Sequence, residues 1–200
     1  LEVHQKFSTT AGNALTEADK GQYTTDLFTR EALRFLRDNK ERPFFLYVPF
    51  NAPHIASSLE PDARGWVQAP PEYVRQYPPA ENEKQRKRIS YMAAVTCMDA
   101  AIGRILDSLD ENGLARDTLV IFLSDNGGGG PADNAPLRGR KADVFEGGVR
   151  VPCLVRWPGR IPAGSTVDAF LTALEIFPTL VSAAGAVPPP GVVLDGHDML

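Results

Sequence analysis

The sequence predicts an α/β domain with a mainly parallel sheet flanked by helices. Three observations carry this. Short apolar runs without polar alternation stand at Phe44-Phe45-Leu46-Tyr47-Val48 and Leu119-Val120-Ile121-Phe122-Leu123, the pattern of strands covered on both faces. Segments of helical period separate them. The chain has 17 Gly and 17 Pro in 200 residues, a surplus that marks many turns without reaching the composition of a disordered chain.

From Tyr23, apolar Phe28, Ala32, Phe35 and Leu36 recur at three- and four-residue steps among Arg and Asp, which predicts a helix ending between Asn39 and Pro43. The 44–48 run follows as the first strand. Residues 55–88 hold no long apolar run and carry five prolines, so they are expected as a long surface loop or insertion leading into a helix. The charged run Glu83–Arg88 reads as a solvated face of that helix. Met92, Val95, Met98, Ile102, Ile105, Leu106 and Leu109 then form one helical stripe, stopped by Asn112-Gly113. The 119–123 run is the second strand. Val149–Arg156 is a third, with Pro152 favouring its end or an edge position. Pro178 opens a last helix and Gly185 closes it. Residues 1–22 are polar and unassigned, and Pro188–Gly191 is a linker.

Composition excludes some classes. The formal charge is −4, against the basic surplus of a general nucleic-acid binder. The most apolar stretch, Val167–Val187, is interrupted by Asp168, Glu175 and Pro178, a poor membrane span. Cys97 and Cys153 make no disulfide framework and read as buried free thiols. The start at Leu1, without a Met or an apolar leader, is expected of part of a longer chain.

In parallel sheets ligands bind beyond the carboxyl ends of the strands. Strand 44–48 delivers Asn51-Ala52-Pro53-His54 there, and strand 119–123 delivers Ser124-Asp125-Asn126-Gly127. Asp125 and Asn126 offer oxygen donors suited to Ca²⁺ or Mg²⁺, although Ser-Asp-Asn-Gly is equally a turn sequence. His54 can serve as acid, base or anion ligand, or simply bond its loop neighbours. Between Arg138 and Arg160 six basic residues face two acidic ones, a locally positive segment that suits sulfate or phosphate. Lys141 in it can hold an anion as a point charge.

These stretches together resemble one family. YTTDLFTREALRFL, PFFLYVPFNAPH, MDAAIGRILDSLDENGLARDTLVIFLSDNGG, PLRGRKADVFEGGVRVPCLVRWPGRIPAG and LEIFPTLVSAAGA followed by LDG are similar, in order, to the type I sulfatases. These are the formylglycine-dependent sulfuric ester hydrolases of the alkaline phosphatase superfamily. The resemblance spans residues 23–198 and implies an alkaline-phosphatase-like fold, of which residues 23–200 are the C-terminal portion of the catalytic domain.

It implies roles as well. Asp125 and Asn126 match two ligands of the family's divalent cation, Ca²⁺ in preference to Mg²⁺. Lys141 matches the lysine on the substrate sulfate and leaving-group oxygen, and His54 the histidine that assists departure. Arg138, Glu146 and Arg150 match recurrent positions and are expected to be structural. The partner implied is a small-molecule or carbohydrate sulfate ester. The family implies a periplasmic, secreted or lysosomal location, and the oligomeric state is left open.

The chain departs from the family in its first half. No Cys/Ser-x-Pro-x-Arg occurs: Cys97 is followed by Met98-Asp99-Ala100-Ala101 and Cys153 by Leu154-Val155-Arg156. The early Asp-Asp ligands and the Gly-Lys-Trp-His segment are likewise outside this chain. The formylglycine nucleophile is therefore expected upstream, and the 200 residues alone are expected to be inactive. Glu175 stands where the family commonly has Asp. A phosphonate or phosphodiester hydrolase of the same superfamily, and a non-catalytic sulfatase-like protein, are the alternatives.

Overall fold

A computed structural model describes residues 21–55 and 65–200. Residues 56–64 of the expected loop 55–88 and residues 1–20 of the polar segment 1–22 lie outside them. By backbone contacts the chain divides into residues 1–115 with 122–154, and residues 116–121 with 155–200.

Helix α1 (Thr24–Asn39) runs as its period predicts. Leu27, Phe28, Ala32 and Leu36 are buried on one face, with Leu36 1% exposed. The Thr29 hydroxyl donates back to the Thr25 carbonyl at 2.6 Å, which satisfies a buried polar group inside the helix. Asn39 ends the helix, its amide donating to the Phe35 carbonyl at 2.7 Å.

A short helix α2 (Pro71–Val74), absent from the expectation for this loop, has Pro at its first position, where no N–H is needed. Helix α3 (Glu83–Glu111) is longer than the apolar stripe alone indicated, because the charged run forms its first turns. Its N-cap is Asn82, whose side chain accepts from the Gln85 N–H at 2.9 Å. At the far end Gly113 takes φ +70°, and the Leu114 N–H donates to the Leu109 carbonyl at 2.8 Å.

The buried face of α3 follows the expected stripe only in part. Leu109 is buried as expected, and Ala93, Ala94, Cys97 and Ala101 are fully buried, while Met92, Val95, Met98, Ile102, Ile105 and Leu106 are only half-buried. Small side chains let helices approach closely, and α3 contacts both α1 and α2, with Cys97 beside Tyr73 of α2. Arg104 reaches Asp26 of α1 at 3.1 Å on the exposed rim of this contact. Burial pushes the Cys97 thiol up to about 11. By length and hydropathy α3 also qualifies as a membrane span; its small-residue face is instead packed on α1 and α2.

The run 44–48 is a correction. It is extended but joins no ladder among the described residues. Its burial alternates instead of being continuous: Phe44, Leu46 and Val48 are half-covered, whereas Phe45 and Tyr47 are 72% and 75% exposed. Helix α1 covers one face, through edge-on ring pairs Phe35–Phe44 at 5.9 Å and Phe28–Phe50 at 6.2 Å. No described element lies over the other face.

Strand β1 (Val120–Leu123) and strand β2 (Cys153–Arg156) pair in a two-stranded sheet. Pro152 immediately precedes β2, at the strand end as expected, and its carbonyl accepts from the Ser124 N–H at 3.3 Å. Between the strands lies the short helix α4 (Glu146–Val149). Cys153 is exposed, not buried as the composition suggested, because it starts an edge strand whose outer face is uncovered.

In the second unit, Trp157 packs under Arg160 and donates its indole N–H to the Arg116 carbonyl at 3.2 Å. Helix α5 (Ile176–Ala183) has Pro178 in its first turn, and Gly185 after it takes φ +64°. The 3₁₀ turn Ala173–Glu175 leads into it through a capping box. Glu175 accepts from the Thr172 N–H at 2.6 Å and from its hydroxyl at 2.8 Å. These bonds hold its carboxyl below the ordinary range. A Glu at this third position has the reach that a capping box requires, which gives its presence a structural reason.

Candidate functional site

The loop after the 44–50 segment turns at Asn51, where the His54 N–H donates to the Asn51 carbonyl at 2.8 Å. This turn fixes the His54 ring beside its own backbone: Nδ1 lies 2.9 Å from the Ile55 carbonyl oxygen. A carbonyl only accepts, so Nδ1 carries the hydrogen and Nε2 presents its lone pair. That lone pair faces the Lys141 ammonium, with Nζ 3.1 Å from Nε2. Two residues 87 positions apart thus meet at the surface, both exposed and open to a ligand.

Lys141 is held from the other side by the loop that follows β1. Its N–H donates to the Gly128 carbonyl at 3.1 Å. Gly127 is buried against the turn of α4, donating to the Gly148 carbonyl at 2.9 Å. A Cβ at Gly127 would stand 1.8 Å from the Gly147 oxygen, so only glycine permits this approach. The Lys141 loop, the glycine run and α4 form one tightly closed backbone cluster.

Asn134 stitches that cluster, a part that no local pattern announces. Its Oδ1 accepts from the Gly128 N–H at 2.9 Å, and its Nδ2 donates to the Gly128 carbonyl at 2.8 Å and to the Gly139 carbonyl at 3.3 Å. One side chain thus bonds both backbone groups of Gly128 and ties the glycine run to the loop carrying Lys141. In sequence, Asn134 reads as one more turn residue between Gly and Pro; only the long-range contacts reveal its part.

Asp125 and Asn126 lie at the end of β1, immediately before Gly127. Asp125 is exposed and Asn126 half-buried. The Ser124 hydroxyl donates to the Asn126 carbonyl at 3.0 Å, which tightens the turn. Among the described residues no three His, Cys, Asp or Glu side chains gather as a metal cage. The carboxylate and amide oxygens fit a hard cation in kind. They are fewer than the six to eight oxygens Ca²⁺ takes, so other ligands must complete the shell.

Arg138, Glu146 and Arg150, expected to be structural, are all exposed. The Arg138 guanidinium stacks on the Phe145 ring at 3.8 Å, and its carbonyl accepts from the Gly147 N–H at 2.7 Å. Glu146 and Arg150 pair at 3.5 Å across one turn, both largely exposed.

Residues 3–186 match the sulfatase family profile. The chain is 38% identical to steryl-sulfatase of Mus musculus over 180 residues, covering 85% of this chain and 26% of that protein. It is 35% identical to N-acetylgalactosamine-6-sulfatase of Canis lupus familiaris over 186 residues, covering 88% of this chain and 32% of that one. Among solved structures, Ps i-CgsB in complex with k-i-k-neocarrahexaose superposes with a TM-score of 0.79 at 36% identity, covering 94% of this chain and 39% of that one. The chain therefore spans between a quarter and two-fifths of the relatives it matches.

Proposed function

The chain belongs to the sulfatase family, with the α/β, alkaline-phosphatase-like fold of its structural relatives, and from that premise we propose that the whole protein hydrolyses a sulfate ester to an alcohol and sulfate. The single observation that carries the reading is the 3.1 Å approach of Lys141 Nζ to His54 Nε2 at an open surface.

In this reading a sulfate group enters beside that pair and takes over the ammonium protons of Lys141. Lys141 then neutralises charge on the sulfuryl oxygens and on the oxygen of the departing alcohol. His54, released from Lys141, takes a proton on Nε2 and in that imidazolium form donates it to the same oxygen as the S–O bond breaks. Its Nδ1–H bond to Ile55 fixes the ring so that Nε2 is the working atom. Asp125 and Asn126 would hold a divalent cation, Ca²⁺ in preference to Mg²⁺, which when bound supplies further positive charge to the sulfuryl oxygens. The nucleophile is assigned to sequence outside these 200 residues, since no Cys/Ser-x-Pro-x-Arg occurs within them.

The length of the relatives also supports a reading of the exposed apolar surface. Phe45, Tyr47, Leu154 and Val155 project from extended segments at 45–75% exposure. In the whole protein these faces would be covered by further chain.

The test compares 4-nitrophenyl sulfate with bis(4-nitrophenyl) phosphate and a phosphonate monoester as substrates of the full-length protein. Higher kcat/KM for the sulfate is expected. Preference for either phosphorus ester would move the protein to the hydrolase alternative, and no turnover of any would make it non-catalytic. Calcium titration with Asp125→Ala as control tests the cation assignment: the variant should bind more weakly, and unchanged affinity rejects it.

A further inference from the structure

A second cationic surface adjoins the His54–Lys141 pair. Glu81–Arg88 holds four basic and two acidic residues, and the structure arranges the bases around an aromatic ring. Lys87 Nζ lies 5.0 Å and the Arg86 guanidinium 5.6 Å from the Trp66 ring centroid. Next along the helix, the Arg88 guanidinium lies 5.6 Å from the Tyr91 ring and donates to the Pro131 carbonyl. Three consecutive cations are thereby fixed in place. Glu83 pairs with Lys87 at 2.7 Å, one carboxylate against three bases.

A freely solvated helix face would splay neighbouring like charges apart, since adjacent helical positions diverge by about 100°. Here one ring gathers two of them, which concentrates positive potential where the polypeptide only partly neutralises it. The location is informative as well. A small pocket of about 40 Å³ is lined by Ile55, Gly65, Trp66, Val67, Lys87 and Pro131. Ile55 follows His54 directly. Pro131 follows the glycine run, where a Cβ on Gly129 would stand 3.2 Å from the Lys141 Cβ. The cationic surface and the reaction pair therefore share two loops.

We propose that Trp66, Arg86, Lys87 and Arg88 form a second anion subsite, which binds a sulfate group on a neighbouring sugar when the substrate is a polysulfated carbohydrate. The proposal rests on the sulfate-ester reading of His54 and Lys141 and adds the substrate class to it. The pocket is small and partly open to the surface. An aromatic and aliphatic wall beside clustered cations suits a sugar chain that lies across the surface, apolar C–H faces on Ile55 and Trp66 and sulfates on the bases.

The test uses the full-length protein and two substrates: an oligosaccharide sulfated on every residue, and 4-nitrophenyl sulfate. The double variant Arg86→Ala/Lys87→Ala, and separately Trp66→Ala, should raise KM for the oligosaccharide at least tenfold with kcat unchanged. Neither should alter either constant for the aryl sulfate. Equal losses on both substrates, or none on the oligosaccharide, would overturn the proposal. A binding experiment separates it from the activity itself: calorimetric titration of the oligosaccharide into the Lys141→Ala protein should show affinity that Arg86→Ala/Lys87→Ala abolishes. Such binding in a protein that hydrolyses no sulfate ester would defeat the activity and leave the subsite standing. Equal competition by single-stranded DNA of the same charge would make the surface a general polyanion site and contradict the assignment.

Discussion

Replacing Asn134 by Ala removes one side chain and leaves three backbone groups without it: the Gly128 N–H, the Gly128 carbonyl and the Gly139 carbonyl. Two of these bonds are well formed, at 2.9 and 2.8 Å, and a net contribution of about 0.5–1.5 kcal/mol each gives a loss of about 1–3 kcal/mol. The site is half-buried, so water will recover part of it. The larger effect falls on activity. The Gly128 carbonyl also accepts the Lys141 N–H at 3.1 Å, so loosening Gly128 lets Lys141 drift from His54, and a displacement near 1 Å costs about 100-fold in rate. Asn134→Asp is the sharper variant. It keeps the acceptor for the Gly128 N–H but sets a carboxylate oxygen against two carbonyls, and should be at least as damaging as Ala. Thermal unfolding and kcat for an aryl sulfate, measured on the full-length protein, check both effects. An Asn134→Ala protein with wild-type melting temperature and wild-type kcat would refute the stitching argument.

Gly127→Ala places a Cβ 1.8 Å from the Gly147 oxygen and must displace backbone; about 1–3 kcal/mol of stability should be lost, read by denaturant unfolding, with weakened Ca²⁺ binding at the adjacent Asp125. Glu175, whose folded carboxyl is held low by Thr172, contributes stability above its unfolded pKa that disappears as pH falls through the lowered folded value. Glu175→Ala should therefore melt below wild type at neutral pH and converge with it in acid; a constant difference at every pH would contradict the capping role. Thiol labelling at pH 8 should show one fast cysteine, the exposed Cys153, and one slow, Cys97, which is buried and pushed up to about 11; two fast thiols would contradict the α1–α3 packing.

Much of this architecture was legible in the sequence because local chemistry determined it. The 3.6-residue period of α1, Asn112-Gly113 after α3, and Pro178 and Gly185 around α5 act within a turn or two of their own positions. Where tertiary partners decide, the reading failed. Phe44–Val48 has the composition of a fully buried strand, yet burial and ladder bonds depend on what lies beside it, and the described chain covers only one face. The stripe on α3 holds only in part for the same reason: Leu109 is buried, but close helix approach favours Ala and Cys over Met and Ile elsewhere on it. At the site, the residue types of His54, Lys141, Asp125 and Asn126 pointed to anion and cation chemistry. The expectation that two strand ends bring His54 and Asp125-Asn126 together rested on a strand at 44–48, which joins no ladder among the described residues. The 3.1 Å contact between His54 and Lys141, the Asn134 stitching and the Trp66 cluster join positions dozens of residues apart, which no local pattern encodes.

The most direct test of the account is sulfate release from an aryl sulfate by the full-length protein carrying Lys141→Ala, with thermal melting as the control for folding. Lys141 is exposed at the end of a loop that its backbone, not its ammonium, secures, so the melting temperature should be unchanged. If the ammonium neutralises charge on the sulfuryl group, kcat should fall by about 10²–10³. A folded Lys141→Ala protein that releases sulfate at the wild-type rate would contradict the central claim.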